Sequence, residues 1–154
     1  MMLELHHVTI GQQIRGLSAT VSGGQMLSVT GQTGSGKTTL LRAVLGFVAI
    51  DGGHISIDGE LLTPRSAPYF RRQTAYVPQF LSLPEGYHDV PTDYVQLVEK
   101  AVQSGKQLLV VDEPAEPLSD EKMAMVDQLL QEALERGAIV LAVNQRTAVN
   151  QIAL

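Results

Sequence analysis

The stretch Gly31–Thr38 constrains the fold of this chain more than any other part of its sequence. It reads Gly-Gln-Thr-Gly-Ser-Gly-Lys-Thr and fills every fixed position of the phosphate-binding pattern G-x-x-x-x-G-K-[ST]. Such a loop works between a buried strand and the first turn of a helix, where backbone N–H groups converge on phosphate oxygens. The apolar run at 26–30 predicts the strand, and the apolar spacing over 39–45 predicts the helix. A bound nucleoside triphosphate is therefore expected.

Side-chain chemistry gives an expected role to each part of this loop. Its glycines let the backbone adopt positive φ and come close to the phosphates. Lys37 supplies a positive charge for the β- and γ-phosphates, and the Thr38 hydroxyl is a ligand for Mg²⁺. A glycine-serine turn that merely precedes Lys-Thr is the alternative, and the flanking strand and helix disfavour it. The expected nucleotide-contacting residues are Gly31, Gln32, Thr33, Gly34, Ser35, Gly36, Lys37, Thr38 and Thr39.

Length and composition favour one globular domain over residues 1–154, with 44% hydrophobic and 18% charged residues. The formal charge of −5 provides no broad basic surface, so no nucleic-acid partner is expected. Cysteine is absent, which excludes disulfides and thiolate metal sites. The sequence predicts neither a membrane span nor an export signal. We expect a cytoplasmic protein that reaches the inner face of a membrane only through a partner.

The pattern along the chain predicts an α/β fold: a P-loop NTPase core with a mainly parallel sheet flanked by helices, plus an N-terminal antiparallel β subdomain. Alternating apolar and polar residues predict the antiparallel strands at 3–10, 17–21, 54–59 and 60–62. Short apolar runs predict the buried strands at 74–77, 108–111 and 138–143.

Two further helices are predicted by capping residues and apolar spacing. The first follows Thr92 as its cap and runs to about Ser104. The second follows Ser119 and ends at Gly137. The predicted inward face of the second helix consists of Met123, Val126, Leu130 and Leu134.

Polar side chains follow two of the predicted strands. The run 108–111 leads directly into Asp112 and Glu113, and carboxyl ends of strands are where open α/β sheets bind ligands. Asp112 is placed to hold Mg²⁺, while Glu113 can orient or deprotonate an attacking water. Gln79 follows strand 74–77 and offers an amide that can reach Mg²⁺ or the γ-phosphate. In isolation these are ordinary solvated groups; their register with the phosphate loop favours a site.

The order of these segments resembles that of ATP-binding cassette (ABC) ATPases, and the resemblance extends from Leu3 to about Val143. A stretch at Gly53–Gly59 also resembles one that the family has between its first two motifs. The motifs that carry the resemblance are a Walker A loop and helix at 31–41, a Q-loop at 77–79 and a Walker B strand with its catalytic glutamate at 108–114.

The resemblance implies the ligands and the roles of the site residues. ATP and Mg²⁺ are the implied ligands. Thr38, Gln79 and Asp112 are the implied metal ligands, and Lys37 and Glu113 join Gln79 as catalytic residues. Another catalytic candidate, Gln145, stands at the place of the family's switch histidine; it can hydrogen-bond a phosphate but cannot become cationic.

The chain departs from the family between Gln79 and Asp112. This interval contains no Leu-Ser-Gly-Gly-Gln signature and is several dozen residues shorter than the family pattern, so the helical region (about 80–104) is expected to be shortened. In the family the signature of one cassette caps the ATP of another. A homodimer of this chain cannot build that site, whereas a heterodimer with a complete cassette can. The adenine-stacking aromatic is also missing, since Ile10–Gln12 occupies its region.

Three functional hypotheses follow. The first is a slow ATPase subunit of a transport-type complex, with a second nucleotide-binding subunit (in a homo- or heterodimer) and a membrane permease as partners. The second is a non-hydrolytic ATP-binding module for regulation or assembly. The third, a kinase of small molecules, is weaker because no basic lid segment is evident and the run 112–114 favours an ATPase.

Overall fold

The computed structural model describes residues 1–32, 34–79, 93–114, 116–143 and 150–154. The predicted loop after Phe80, and the sites Thr33 and Gln145, lie outside these residues. The described strands are β1 (Met2–Ile10), β2 (Ile14–Ser22), β3 (Met26–Thr30), β4 (Gly52–Ile57), β5 (Glu60–Leu61), β6 (Thr74–Val77), β7 (Leu108–Val111), β8 (Ile139–Val143) and β9 (Asn150–Ala153). The described helices are α1 (Lys37–Val44), α2 (Ala67–Arg72), α3 (Tyr94–Gln103) and α4 (Asp120–Glu135).

Five strands form a sheet of order β6-β7-β8-β3-β9, in which each neighbouring pair is parallel. β7 and β8 are buried along their whole length and consist of leucine, valine, isoleucine and alanine. Continuous apolar strands of this kind are typical of a parallel sheet covered on both faces. The phosphate-loop strand β3 lies between β8 and β9, so its carboxyl end is inside the sheet and not at an edge.

The other sheet has the order β2-β1-β4-β5 and is antiparallel throughout. The alternation predicted for β1 is confirmed at Leu3 and Leu5, which are buried. His6 and His7 lie between the buried residues Leu5 and Val8 and are not themselves buried. The register of β1 against β2 shifts between Leu5 and Val8, where His7 has a φ of 51°. One face of this sheet therefore closes the core and the other is accessible.

The core lies on both faces of the parallel sheet because neighbouring residues of a strand point to opposite sides. Leu108 and Val110 of β7 belong to the cluster that includes α1 and the antiparallel sheet. Leu109 and Val111 belong to the cluster that includes α3 and α4. The fold class predicted from the sequence is confirmed: a helix-flanked parallel core and an antiparallel β layer.

Some local predictions differ from the structure. Thr92 is wrong as the cap of α3, because the helix begins one residue later and the Asp93 side chain accepts a hydrogen bond from the Val95 N–H. Met123 is wrong as an inward residue of α4: it is 36% exposed, and Ala133 is buried instead. Ser119 is confirmed as the cap of α4, since its Oγ accepts from the Lys122 N–H.

The structure adds two elements that the sequence pattern did not predict. They are the six-residue helix α2 and the strand β9. Among the helices of the described residues, none is both long enough and apolar enough to cross a membrane.

Candidate functional site

The loop between β3 and α1 carries its glycines where the backbone requires them. Gly34 has a φ of 84° and Gly36, the residue that precedes α1, a φ of 100°. Side chains are strained in this region of φ, and glycine is not. Space is also short at Gly36, where an added Cβ would lie 3.2 Å from the Cβ of Gln13 and 3.3 Å from Cγ1 of Ile14. Both sequence and packing thus place glycine at the entrance of α1.

Lys37 places its ammonium group inside the loop. Its Nζ donates to the Gly31 carbonyl at 2.7 Å and lies 3.4 Å from Oε1 of Glu113. The side chain is only 12% exposed, so this is a largely buried cation with two oxygen acceptors. The first helical residue of α1 therefore joins the end of β3 to the acids after β7.

Asp112 is the most buried charged group in the described part of the site, at 1% exposure. Its Oδ2 accepts from the Thr38 hydroxyl at 3.0 Å, and its Oδ1 accepts from the Glu113 N–H at 2.9 Å. Burial raises the pKa of Asp112 above its ordinary value, and the hydrogen bonds from Thr38 and Glu113 oppose that rise. Thr38 and Asp112, which lie 74 positions apart in the sequence, are thus in direct contact.

The same arrangement fits a magnesium ion. Mg²⁺ prefers oxygen ligands and is usually held by one or two carboxylates together with substrate phosphates. The carboxylate of Asp112 and the hydroxyl of Thr38 are two such oxygens, already in contact.

In the phosphate-binding loop the Ser35 hydroxyl oxygen is buried and has no hydrogen-bond partner among the described residues. A buried polar group of that kind calls for a partner, and a phosphate oxygen is a suitable one.

Gln79 leaves the sheet beside the acids. The Asp112 N–H donates to the Val77 carbonyl at 2.9 Å, so β6 and β7 end side by side. Gln79 is half-buried two residues beyond the end of β6. Within the described residues no hydrogen bond joins its side chain to Thr38, Asp112 or Glu113. The structure therefore places Gln79 at the correct edge of the sheet and does not bring its amide into contact with the other site residues.

The remaining predicted residues lie in the loop or outside the described residues. Gln32 is exposed, and Thr39 is half-buried in the first turn of α1. Tyr94, which no sequence pattern indicated, donates a hydrogen bond from its hydroxyl to the Asp112 carbonyl oxygen. Burial raises the pKa of Tyr94, so its hydroxyl stays protonated and keeps donating. No motif could have pointed to Tyr94, because the contact depends on how α3 packs against β7.

Several known proteins are similar to this chain in sequence. A family model described as "ABC transporter" matches residues 14–93. The chain is 36% identical over 115 residues to ABC-type transporter phomO' of Diaporthe leptostromiformis, covering 75% of this chain and 6% of that protein. It is 39% identical over 83 residues to the Fe(3+) ions import ATP-binding protein FbpC of Pseudomonas fluorescens, covering 50% of this chain and 23% of that protein.

A solved structure shares the fold. The chain superposes on an ATP-binding subunit of an ABC transporter with a TM-score of 0.79 and 20% sequence identity, over 100% of this chain and 86% of the other. At that identity the likeness concerns the fold alone. The sequence relatives are much longer proteins, since the chain spans less than a quarter of either one.

Proposed function

The chain belongs to the ABC transporter family, and on that premise we propose that it binds Mg-ATP and hydrolyses it slowly as one ATP-binding subunit of a transport-type complex. The observation that carries the proposal is the contact between the Thr38 hydroxyl and the buried Asp112 carboxylate, which joins the phosphate-binding loop to the acids after β7. The proposed ATP-binding stretch is 31–39, and the proposed unit is one nucleotide-binding domain over residues 1–154 with its helical region shortened at about 80–104.

Binding would begin with the phosphates. The N-terminus of α1 and the loop amides offer N–H groups and a partial positive charge to phosphate oxygens. Lys37 would exchange its bond to the Gly31 carbonyl for one to the β- and γ-phosphates. Thr38, Gln79 and Asp112 would hold Mg²⁺, which when bound neutralises phosphate charge and orients the terminal phosphoryl group.

Hydrolysis would depend on Glu113. Its carboxylate is 32% exposed, unlike the buried Asp112 beside it, so one acid is open to a water while the other faces Thr38. Glu113 would orient the attacking water and accept its proton as the water oxygen bonds to the γ-phosphorus, while the bond from that phosphorus to the bridging oxygen breaks and ADP leaves. Gln145 would hydrogen-bond the departing phosphate, a role that requires no positive charge. Slow turnover is proposed because the interval 79–112 carries no signature segment.

The proposed partners follow from that missing segment and from the relatives. A complete cassette would supply a signature over the ATP of this chain, which makes a heterodimer the favoured assembly. FbpC carries the description "Fe(3+) ions import ATP-binding protein", which motivates a membrane permease as the third component. The chain would then act at the cytoplasmic face of a membrane, held there by the permease.

A second candidate is a non-hydrolytic ATP-binding module for regulation or assembly. The interval between Gln79 and Asp112, with no signature segment, favours it. In this case ATP would stabilise one conformation or complex without being hydrolysed. Glu113→Gln would then behave as the wild type does.

Titration calorimetry and phosphate release test both candidates. Lys37→Ala should weaken Mg-ATP binding about ten- to a hundredfold, because a charge-assisted hydrogen bond contributes about 1.5–3 kcal/mol. Lys100→Ala, an exposed lysine on α3, is the matched control and should bind as the wild type does. Glu113→Gln should retain binding and lose phosphate release, measured with and without a complete ABC subunit.

The two parts of the proposal fail separately. ATP binding is rejected if the wild type does not bind Mg-ATP, and the role of Lys37 is rejected if Lys37→Ala and the wild type have the same affinity. Hydrolysis is rejected if the wild type releases phosphate no faster than Glu113→Gln under either condition, and the non-hydrolytic module then stands.

A further inference from the structure

The turn between β1 and β2 touches the phosphate-binding loop. Gln13 is the last residue of that turn, and its side-chain Nε2 donates to the Gly34 carbonyl at 2.7 Å. The next residue, Ile14, is 2% exposed and belongs to the main hydrophobic cluster. The Gln13 backbone is thereby anchored by burial of its neighbour, while its amide reaches across to a loop 21 positions away.

The peptide that Gln13 contacts is held at both ends. The Gly34 carbonyl and the Ser35 N–H belong to one planar unit, so fixing one group fixes the direction of the other. Ser35 N–H donates to the Gln32 carbonyl at 3.1 Å, and Gln13 holds the opposite side. Gly34 has a φ of 84° and no side chain of its own to restrict it. The Gln13 amide therefore limits a peptide that would otherwise rotate easily.

Orientation of these peptides matters for anion binding. A phosphate loop binds through amides that point inward, which requires carbonyls to point outward. Gln13 holds one carbonyl of this loop, that of Gly34, and so limits the orientations open to that peptide. The close approach of its Cβ to Gly36, where an added Cβ would be only 3.2 Å away, shows that the turn lies directly against the loop. A loop already held in one conformation loses less entropy when it binds its ligand.

We infer that Gln13 is a positioning residue that preorganises the phosphate-binding loop, and that it acts on the triphosphate and not on the base. This inference rests on the proposed ATP binding. Because the contact is with the loop backbone, its contribution is the same for every ligand that carries a triphosphate. Loss of the amide should therefore weaken ATP, GTP and inorganic triphosphate by one common factor.

The test replaces the amide without changing the size of the side chain. Gln13→Met keeps the bulk beside Gly36 and removes the donor, and Gln13→Ala removes both. Gln128→Met is the matched control, on an exposed residue of α4 that has no role in the proposed site. Affinities for the magnesium complexes of ATP, GTP and inorganic triphosphate are measured by calorimetry, and the nucleotide-free melting temperature is measured alongside. One hydrogen bond corresponds to about a two- to tenfold change in affinity.

The expected result is an equal loss for all three ligands in Gln13→Met, an unchanged nucleotide-free melting temperature, and wild-type affinities in Gln128→Met. Wild-type affinities in both Gln13 variants overturn the inference. A loss confined to ATP and GTP also overturns it, since that would place Gln13 at the nucleoside. A fall in melting temperature that accounts for the whole loss assigns Gln13 a purely structural role. Absence of any ligand binding by the wild type rejects the proposed function itself.

Discussion

At the residue scale, Lys37, Thr38 and Asp112 already have hydrogen-bond partners within the structure. Lys37 donates to a backbone carbonyl of the loop, and the Thr38 hydroxyl donates to Asp112. A phosphate or a metal ion would replace these contacts, and the buried Ser35 hydroxyl, which has no partner among the described residues, would gain one. The net gain from each new contact is therefore smaller than its strength in isolation, because the existing bond must first be lost. Ligand binding here is an exchange of partners.

Replacing Thr38 separates its role toward magnesium from its role toward phosphate. Thr38→Val should weaken ATP binding about tenfold in the presence of Mg²⁺ and leave binding in EDTA close to that of the wild type. The reason is that a hydroxyl hydrogen bond to a carboxylate contributes about 1.5–3 kcal/mol and the oxygen is also the proposed metal ligand. Calorimetry with and without Mg²⁺ is the measurement.

Thr38→Ser is the matched control for this prediction, since it retains the hydroxyl and should bind Mg-ATP nearly as the wild type does. An equal loss with and without Mg²⁺ in Thr38→Val would contradict the assignment of Thr38 to the metal.

At the scale of elements, the helix α3 is fixed to the end of β7 by Tyr94. The hydroxyl of Tyr94 donates to the Asp112 backbone carbonyl, and Val95, Val98 and Val102 of the same helix are buried. The valines bring α3 to the sheet through apolar contact, and the hydroxyl contributes a specific link next to the candidate site. The position of Asp112 therefore depends on a helix that carries none of the predicted site residues.

Removing the Tyr94 hydroxyl should lower stability in a pH-dependent manner. Tyr94→Phe is expected to cost about 1 kcal/mol and to lower the melting temperature by about 2–4 °C at pH 7. Burial raises the pKa of Tyr94 above the ordinary value of 10.0, so the folded state keeps a proton that the unfolded state loses. This stability is fully present below about pH 10 and is lost as the pH rises above it, which narrows the difference between wild type and variant.

Urea unfolding at pH 7, 9 and 10.5 measures this dependence. Tyr69→Phe, on an exposed tyrosine, is the matched control and should unfold as the wild type does at each pH. A stability difference for Tyr94→Phe that stays constant up to pH 10.5 would show that the Tyr94 proton is not held more tightly in the folded state.

The elements that the sequence predicted well are those with a strong local signal. β3, β6 and β7 have the predicted bounds, because each is a short apolar run with a clear stop. α2 gave no such signal: it has six residues, includes Pro68, and buries only Ala67 and Phe70. β9 is also too short and too polar for its pattern to be informative, and its pairing with β3 defines it as a strand.

The residues of the candidate site also fall into two groups, those that a sequence pattern indicates and those that it does not. Lys37, Thr38 and Asp112 could be found because a motif fixes the first two and an apolar strand precedes the third. Gln13 and Tyr94 could not, since each acts through one side-chain contact to a distant backbone carbonyl. Such contacts depend on tertiary packing, for which neither spacing nor composition gives a signal. Thr92 was wrong as a cap because its neighbour Asp93 is the more favourable capping residue.

At the scale of the whole molecule, the absence of a signature segment between residues 79 and 112 predicts that ATP does not drive self-association. We expect Glu113→Gln, saturated with Mg-ATP, to remain a monomer, because a second copy offers no group to cap the γ-phosphate. Light scattering after size exclusion, with and without Mg-ATP, measures the mass. A complete ABC subunit that carries its own glutamate-to-glutamine substitution should restore the ATP-dependent dimer. A homodimer that forms only with ATP would contradict this expectation.

The position of β3 between β8 and β9 determines the order in which the chain can complete its fold. Leu27 pairs with Leu141 on one side and with Asn150 on the other, so both neighbours of β3 are made long after β3 itself. Pairings between distant parts of a chain form slowly, because a large loop must be closed before the contacts stabilise it. During synthesis from the N-terminus the antiparallel β1–β2 hairpin can form early. The strand that leads into the phosphate-binding loop can pair only after β8 and β9 have been made, so we expect a nascent chain to complete its ligand site late in folding.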